Sequence, residues 1–355
     1  MSGLTIAGGG IAGASAACLL AQAGERVTLL ERSLGPSDKI CGEFLSAEAQ
    51  HYLARIGLDP FALGGHRITR VRLVRGVDVV QADLPFCGVG LSRRVLDEAL
   101  LVQAETSGAQ VMRGVSVAEL TPDIRFLATG KHELRGVRRA MPSGPEELVG
   151  FKTYFRLAPT ERAALAGAVE VILFRSGYAG LQLVEGGRAN LCLLVHRNRL
   201  AASGGSWPEL LADLQGESAH LRDRLRGAEP LLDKPLTIAR VPYGFIHAPT
   251  ADETIFRLGD QACVIPSFSG DGMSMALHSA ALAVRTHLGG GSPTSYHAML
   301  RRDVSVPIRR AMALYRFGRW GPGQAVLLHA LRLWPQFMRI AADATRVARP
   351  AWVFD

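Results

Sequence analysis

The residues best placed to do chemistry stand near the start of the chain. Gly8-Gly9-Gly10-Ile11-Ala12-Gly13 contains G-x-G-x-x-G. It follows the apolar run Leu4-Thr5-Ile6-Ala7, which reads as a buried strand. Residues 14–23 are rich in alanine, read as a helix, and stop at Gly24. Arg26-Val27-Thr28-Leu29-Leu30 reads as a second strand with Glu31 at its end. In such a unit Gly8 permits the tight turn, Gly10 lets a pyrophosphate reach the backbone, and Gly13 lets helix and strand pack closely. The free N–H groups and dipole of the helix N-terminus hold the phosphates. Glu31, 18 residues beyond Gly13, can accept from ribose hydroxyls and disfavours a 2′-phosphate. The pattern predicts dinucleotide binding. By itself it does not choose between NAD and FAD, and a glycine-rich turn without a ligand is the plain alternative.

Two later segments bear on that choice. In Gly90-Leu91-Ser92-Arg93-Arg94-Val95-Leu96-Asp97, Ser92 is placed to cap a helix whose apolar positions are Val95, Leu96, Ala99 and Leu100. Phe256-Arg257-Leu258-Gly259-Asp260 reads as a strand ending in an acid. A loop from Pro266 through Gly270, Asp271 and Gly272 to Met273 follows, and residues 274–288 read as a small-residue helix. An aspartate at such a strand end can bond a ribitol hydroxyl. N–H groups opening a helix can face an electron-rich ring edge. Alone, Gly259-Asp260 is equally a turn.

Together these segments resemble the flavoprotein hydroxylase and geranylgeranyl reductase superfamily over most of residues 1–290. The resemblance implies a single-Rossmann, p-hydroxybenzoate hydroxylase-like fold with FAD as cofactor. It places Gly8, Gly10, Gly13 and Glu31 in the ADP-binding fingerprint, with Ile11, Ala12 and Arg32 beside them. Arg93 matches the arginine of the R-x-x-L-D segment that approaches the FAD. Gly259 and Asp260 match the G-D pair, with Asp260 on the ribityl chain. Pro266, Gly270 and Gly272, with Asp271 and Met273, match the loop beside the flavin ring. Lys39-Ile40-Cys41-Gly42-Glu43-Phe44-Leu45-Ser46 resembles a segment of the reductase-like branch in which Cys41 and Gly42 pass the flavin; Cys41 also reads as a small buried residue. Ala128-Thr129-Gly130-Lys131-His132 resembles the strand returning to the cofactor domain, where hydroxylases usually carry Asp-Gly. Residues 118–127 are far fewer than the β-meander this family places there, through a deletion or through a stretch missing from the sequence.

The elements that must position these residues follow. The fold class is α/β: a Rossmann-like FAD-binding domain with an inserted antiparallel β-sheet substrate domain and C-terminal helices. The FAD-binding domain is discontinuous, over 1–68, 88–140 and 253–295. The substrate domain takes 69–87 and 141–252, and 296–355 form a C-terminal helical segment. Short strands at 149–155, 169–174, 178–184 and 189–195, separated by glycine turns, predict the antiparallel sheet. Residues 206–226 read as helical and 237–243 as a strand. A flavin enzyme needs few catalytic side chains. The catalytic group is unknown, with Cys41, Tyr243 and His247 as candidates, each having an ordinary structural reading. The same holds for His196 and for Phe268 as a pocket wall.

Composition bounds the rest. The chain has 355 residues, 48% hydrophobic and 20% charged, with a net charge of +8. The basic residues are scattered and no nucleic-acid motif occurs, so no nucleic-acid partner is expected. They concentrate most between Arg301 and Arg349. Phe317, Trp320, Trp334 and Phe337 lie among those arginines; the segment could close the fold, wall an apolar channel or rest on an anionic membrane. Five widely spaced cysteines without CxxC argue against a disulfide framework and a zinc site, and no metal is expected. Neither a signal-peptide pattern nor a membrane-spanning apolar run is found. The expected location is cytoplasmic, with membrane association open, and the expected state a monomer or homodimer. No second G-x-G-x-x-G occurs, so NAD(P)H would bind transiently as electron donor, or a separate reductase would supply electrons. The halogenase signature W-x-W-x-I-P is absent. The reading is an FAD-dependent oxidoreductase of secondary metabolism, with a monooxygenase acting on a hydrophobic or aromatic small molecule favoured. The alternatives are a geranylgeranyl-reductase-like enzyme reducing C=C bonds and a non-catalytic flavin-binding sensor or carrier.

Overall fold

The computed structural model describes residues 3–137, 139 and 148–353. In chain order its first part holds β1 (Leu4–Ala7), α1 (Ile11–Gln22), β2 (Val27–Glu31), β3 (Phe44–Leu45), α2 (Ala47–Arg55), β4 (His66–Arg75), β5 (Asp78–Gly90), α3 (Arg93–Thr106), β6 (Gln110–Arg113) and β7 (Ile124–Leu127). The middle holds β8 (Leu148–Arg156), α4 (Pro159–Leu165), β9 (Ala168–Phe174), β10 (Gly177–Leu183), β11 (Ala189–His196), α5 (Arg197–Ala202), α6 (Trp207–Glu217), α7 (Ala219–Arg224), β12 (Glu229–Pro230) and β13 (Leu236–Ala239). The remainder is β14 (Phe256–Arg257), α8 (Gly272–Leu288), α9 (Pro293–Arg319), α10 (Gly321–Leu333) and α11 (Gln336–Ala344).

The first sheet runs β14-β7-β1-β2-β6, with every pair parallel. Ile6 and Leu29, paired across β1 and β2, are fully buried. Helices α1 and α8 pack against each other, and α1 presents Ala14, Ala16, Ala17 and Cys18 as buried residues. Small side chains let the helices and the sheet approach closely. The tightest point is Gly13, where an added Cβ would lie 1.8 Å from the Gly8 carbonyl oxygen. Burial pushes the Cys18 thiol up to about 12, so it packs as a neutral apolar group.

The second sheet runs β12-β8-β11-β10-β9-β4-β5-β3, with β13 also paired to β8. The expected antiparallel sheet is in fact mixed, because β4 runs parallel to β9 from Arg70↔Ala168 to Arg75↔Leu173. Glycine turns report hairpins, whereas a parallel pair needs a distant crossover, which a local pattern cannot reveal. The strand expected at 237–243 closes at Ala239, and Arg240 follows with φ 58°. The helix expected over 206–226 is two helices; Ser218 between them accepts from the Leu221 amide and caps the second. Residues 114–123 join β6 to β7 without a strand. Val117 and Leu120 instead pack on Ile124, Leu127 and Ile255. The start of the inserted domain at 141 lies outside the described residues.

Helix α9 packs on α8 and β14, while α10 lies against β4 and β5 and α11 against β5 of the second sheet, anchored by the Gln324 side-chain amide donating to the Phe174 carbonyl at 3.1 Å. After α11 the chain turns back into the body, where buried Arg346 pairs with Glu48 at 2.9 Å and Asp271 at 3.0 Å. No described helix is long and apolar enough to cross a membrane.

Candidate cofactor and substrate cavity

A cavity of about 390 Å³ opens between the two sheets, within the range of small-molecule sites. Of the residues singled out from sequence, Gly10, Ile11, Ala12, Cys41, Gly42, Arg93, Gly259, Asp260, Gly270, Gly272 and Met273 line it. They come from five separate stretches of chain. Tyr243 and Phe268 line it as well.

The cofactor end is built from helix starts and glycines. Gly10 precedes α1 in extended conformation with no side-chain cap and no acid in the first turn, so the helix N–H groups face outward. Gly8 has φ +102°, and a Cβ there would meet the Ala128 carbonyl at 2.5 Å. Gly8 and Gly13 thus shape the loop from behind, while Gly10 forms its open face. A Cβ on Gly10 would come within 3.3 Å of Arg93 Nη2. Arg93 is held in place by a bidentate pair, Nε to Asp97 Oδ1 at 2.7 Å and Nη2 to Asp97 Oδ2 at 2.8 Å. Ser92 caps α3 as its sequence suggests, accepting from the Val95 amide at 3.3 Å.

Glu31 stands just outside the main cavity, at a small notch beside Gly9 and Ser33. Its carboxylate accepts from the Gly9 amide and from the Ser33 amide, each at 2.8 Å. Burial alone would raise its pKa, but those N–H bonds outweigh it and hold the group below the usual carboxylate range. At the far side Asp260 lies 3.8 Å from the Lys131 ammonium. Gly272 opens α8 with only open space beside it, and Asp271 before it gives no side-chain cap. An uncapped helix start, a cradle that a Cβ would fill, a braced arginine and an ionised acid at the end of β2 suit a diphosphate-linked flavin nucleotide. These residues fit FAD.

Several sequence candidates are not brought into the cavity. Arg32 is exposed, and Pro266 is buried behind the loop. Asp271 turns its carboxylate away, onto Arg346; burial pushes its pKa up to about 7 against the pull of that arginine. His247 bonds Glu253 at 2.8 Å and meets the His297 ring edge-on at 4.6 Å. Burial is the main cause that lowers both histidines, His297 to about 3, so both are neutral. His196 accepts from the Asn198 amide at the start of α5.

The sequence reading missed a buried ionic cluster beneath Cys41-Gly42. Glu43, in left-handed conformation at φ 62°, receives the Lys152 ammonium in a short contact; both side chains are fully buried. The Tyr154 hydroxyl donates to both Glu43 oxygens at 2.8 and 2.9 Å, and the Arg93 amide donates at 2.7 Å. Lys152 also donates to the Lys39 carbonyl at 2.8 Å. Asn190 donates to the Gly42 carbonyl at 2.9 Å, and Gln182 to the Glu43 carbonyl at 2.7 Å. The second sheet therefore grips the whole 39–43 segment and, through Arg93, the start of α3. A signal existed: Lys152 interrupts the otherwise apolar and aromatic strand of Phe151, Tyr154 and Phe155.

A second missed cluster lies deeper in the cavity. The Tyr178 and Tyr243 hydroxyls are 2.9 Å apart and share Ser267 Oγ, at 2.6 and 2.7 Å. The Ser267 amide donates to Tyr243 at 3.0 Å. Burial raises both phenols, Tyr178 to about 12 and Tyr243 well above its usual value, so they stay protonated. Around them the walls are apolar: Val71, Leu73, Val171, Leu194, Ile238 and Val241.

Comparison with known proteins agrees with this architecture. Residues 6–69 match the model of an NAD(P)-binding Rossmann-like domain. A tryptophan 2-halogenase of Chondromyces crocatus is 25% identical over 266 residues, covering 71% of this chain and 42% of that protein. A menaquinone reductase of Mycolicibacterium smegmatis is 30% identical over 125 residues, 34% of this chain and 31% of that protein. The chain thus spans less than half the length of the curated relatives it matches. Among solved structures, a flavin-dependent brominase superposes with TM-score 0.77 at 15% identity, over 98% of this chain and 95% of that one. The myxobacterial chondrochloren halogenase gives 0.75 at 18% identity, over 99% and 94%. A probable FAD-dependent monooxygenase from Pseudomonas aeruginosa gives 0.70 at 16% identity, over 92% and 99%. The chain therefore has the fold of the FAD-dependent monooxygenases and halogenases, with menaquinone reductases among its distant relatives in sequence.

Proposed function

We propose that this chain is an FAD-dependent monooxygenase that hydroxylates a hydrophobic or aromatic small molecule in secondary metabolism. One observation carries the reading: a single cavity runs from the glycine loop at Gly10 to the protonated Tyr178–Tyr243–Ser267 cluster, and its inner walls are apolar. FAD, when bound, supplies the redox chemistry, taking electrons from transiently bound NAD(P)H or a separate reductase and passing them to dioxygen. The chain's own part is to bind, orient and keep water out. Residues of the α1 and α8 starts, with Arg93 and Asp260, hold the cofactor. Tyr178 and Tyr243 offer hydroxyl hydrogen bonds to the one polar group of an otherwise apolar substrate.

Two further readings have specific support. Hydride delivery to a C=C bond is favoured by the Cys41-Gly42 segment and by relatives named menaquinone reductases. Halogenation is favoured by the named halogenases among the relatives, against the missing W-x-W-x-I-P. The test is oxygen uptake by the flavin-loaded full chain with NAD(P)H and a panel of apolar aromatics, with and without bromide, products being read by mass. One added oxygen per substrate supports the proposal. Turnover undiminished under strict anaerobiosis supports reduction, and a brominated product supports halogenation. A bound flavin that no donor bleaches leaves only a carrier or sensor.

A further inference from the structure

Most of the exposed large apolar residues of the described chain lie on α9 to α11, in the turns between them or at the β4–β5 tip. Trp320, Leu333 and Trp334 are 55% to 76% exposed, and Phe317, Val326 and Ile340 stand open beside them. The tip of the β4–β5 hairpin joins this face: Arg332 on α10 pairs with Asp78, and Val77 and Val79 next to it are exposed. Arg309, Arg310, Arg316 and Arg339, on the same helices, are exposed too. Residues 296–355 hold ten arginines and three aspartates, with no lysine or glutamate, which is a net +7 out of the chain's +8. Soluble proteins rarely expose a contiguous patch of this kind without a partner.

The cavity reaches the same face. Phe337 is both exposed and a cavity-lining residue. Leu327, Leu331, Met338 and Ala341 continue the lining inward. Tyr315 on α9 then meets the Tyr243 ring at 5.5 Å, edge to face. The path from the patch to the inner hydroxyl cluster is therefore apolar for most of its length.

We propose that α9 to α11 and the β4–β5 tip dock on an anionic lipid surface, with the cavity mouth turned toward the bilayer. This goes beyond the proposed reaction and does not depend on it. Three features select lipid over a second copy of the chain or an acidic protein. Tryptophans with aliphatic side chains between arginines are the composition that settles at the headgroup boundary. The charge is one-sided: a second copy would set the same exposed arginines, Arg309, Arg310, Arg316 and Arg339, against themselves, and an anionic surface would not. An apolar channel opening inside the patch has a use where the substrate is dissolved in lipid. Long arginine side chains can lie along the apolar face while keeping their guanidinium groups among phosphates.

The test uses the full chain and needs no turnover. Sedimentation with phosphatidylcholine vesicles is compared with vesicles containing phosphatidylglycerol, at low and high salt, alongside tryptophan fluorescence. Binding to the anionic vesicles, a blue shift, and loss of binding at high salt are expected. The variants are Leu333→Ser with Trp334→Ser, and separately Arg316→Glu with Arg339→Glu. Each pair should lower partitioning at least tenfold while thermal melting and flavin content stay unchanged. Failure to bind anionic vesicles at low salt overturns the proposal, as does binding that neither pair reduces. A stable dimer that the Leu333→Ser and Trp334→Ser pair dissociates also overturns it and makes a second copy the occupant. Loss of hydroxylation with vesicle binding intact would strike the reaction alone.

Discussion

Lys152→Met tests whether the buried Glu43 cluster holds the 39–43 segment against the cofactor end. Methionine nearly matches lysine in volume, so the loss is of charge and hydrogen bonds. The variant removes the donor to Glu43 and to the Lys39 carbonyl. Glu43 then keeps Tyr154 and the Arg93 amide but has no counter-charge, with its side chain fully buried. Breaking one side of such a pair costs about 3–5 kcal/mol, because a buried charge is left uncompensated. A domain's whole stability is about 5–15 kcal/mol, so the loss should be plain in urea denaturation. Burial raises the Glu43 carboxyl and Lys152 pulls it back; without Lys152 the carboxyl rises further. A group whose folded pKa is raised contributes stability below its unfolded pKa and loses it as pH rises through the folded one. The cost of Lys152→Met should therefore be small near pH 4 and full above neutrality. Adding Glu43→Gln should recover part of it, since the stranded charge is gone. FAD affinity should fall with the single variant, because Cys41-Gly42 and Arg93 hang on this cluster. A cost under about 1 kcal/mol at pH 8, or a double variant no more stable than Lys152→Met, would refute the argument.

Other outcomes follow from the same contacts. Gly10→Val fills the open face of the glycine loop and crowds Arg93 Nη2, 3.3 Å from the first added carbon; FAD affinity by fluorescence titration should drop at least tenfold while circular dichroism is unchanged. Tyr243→Phe leaves the Ser267 amide without its acceptor and should cost about 1–3 kcal/mol by denaturant titration, together with weaker substrate binding and unchanged flavin content. Asp271→Asn removes a carboxyl that burial raises to about 7. Wild-type stability should fall relative to this variant as pH rises from about 4 to 7, by roughly 2–4 kcal/mol, and level off above that; a flat difference across that window would show that the group is not perturbed.

Local features were legible and distant ones were not. The Gly8–Gly13 loop, the Ser92 cap and the turn at Gly259 are each written in fewer than ten consecutive residues, and their geometry follows from backbone sterics. The Glu43–Lys152–Tyr154 cluster joins residues 109 and 111 positions apart, across a segment whose pairing no periodicity declares. The Tyr178–Tyr243–Ser267 cluster has the same character, with partners 65 and 89 positions apart. His247 stands out by residue type, yet the chain turns it to Glu253 and His297. Asp271 belongs by sequence to a loop motif, yet its side chain answers to Arg346, 75 positions later. A titratable residue in an otherwise apolar run was the one usable hint. Lys152 provided it, since a lysine is not left in a strand core unless something meets it.

The same clusters explain how the glycine-loop end of the cavity, made from the first sheet, and the apolar end, lined by the second, keep a fixed spacing. Residues 39–43 precede the second sheet in sequence, yet their side-chain-mediated bonds run mostly to β8, β10 and β11, with the Arg93 and Leu91 amides as the exceptions. On the other side of the cavity Arg346 returns from beyond α11 to hold Asp271, beside the start of α8, and Glu48 on α2. Each clasp places charges where water is absent, so each is strong in place and costly to break by halves. A cavity shaped this way resists widening at the loop before α8, while α9 to α11 present an exposed outward face beside its other end.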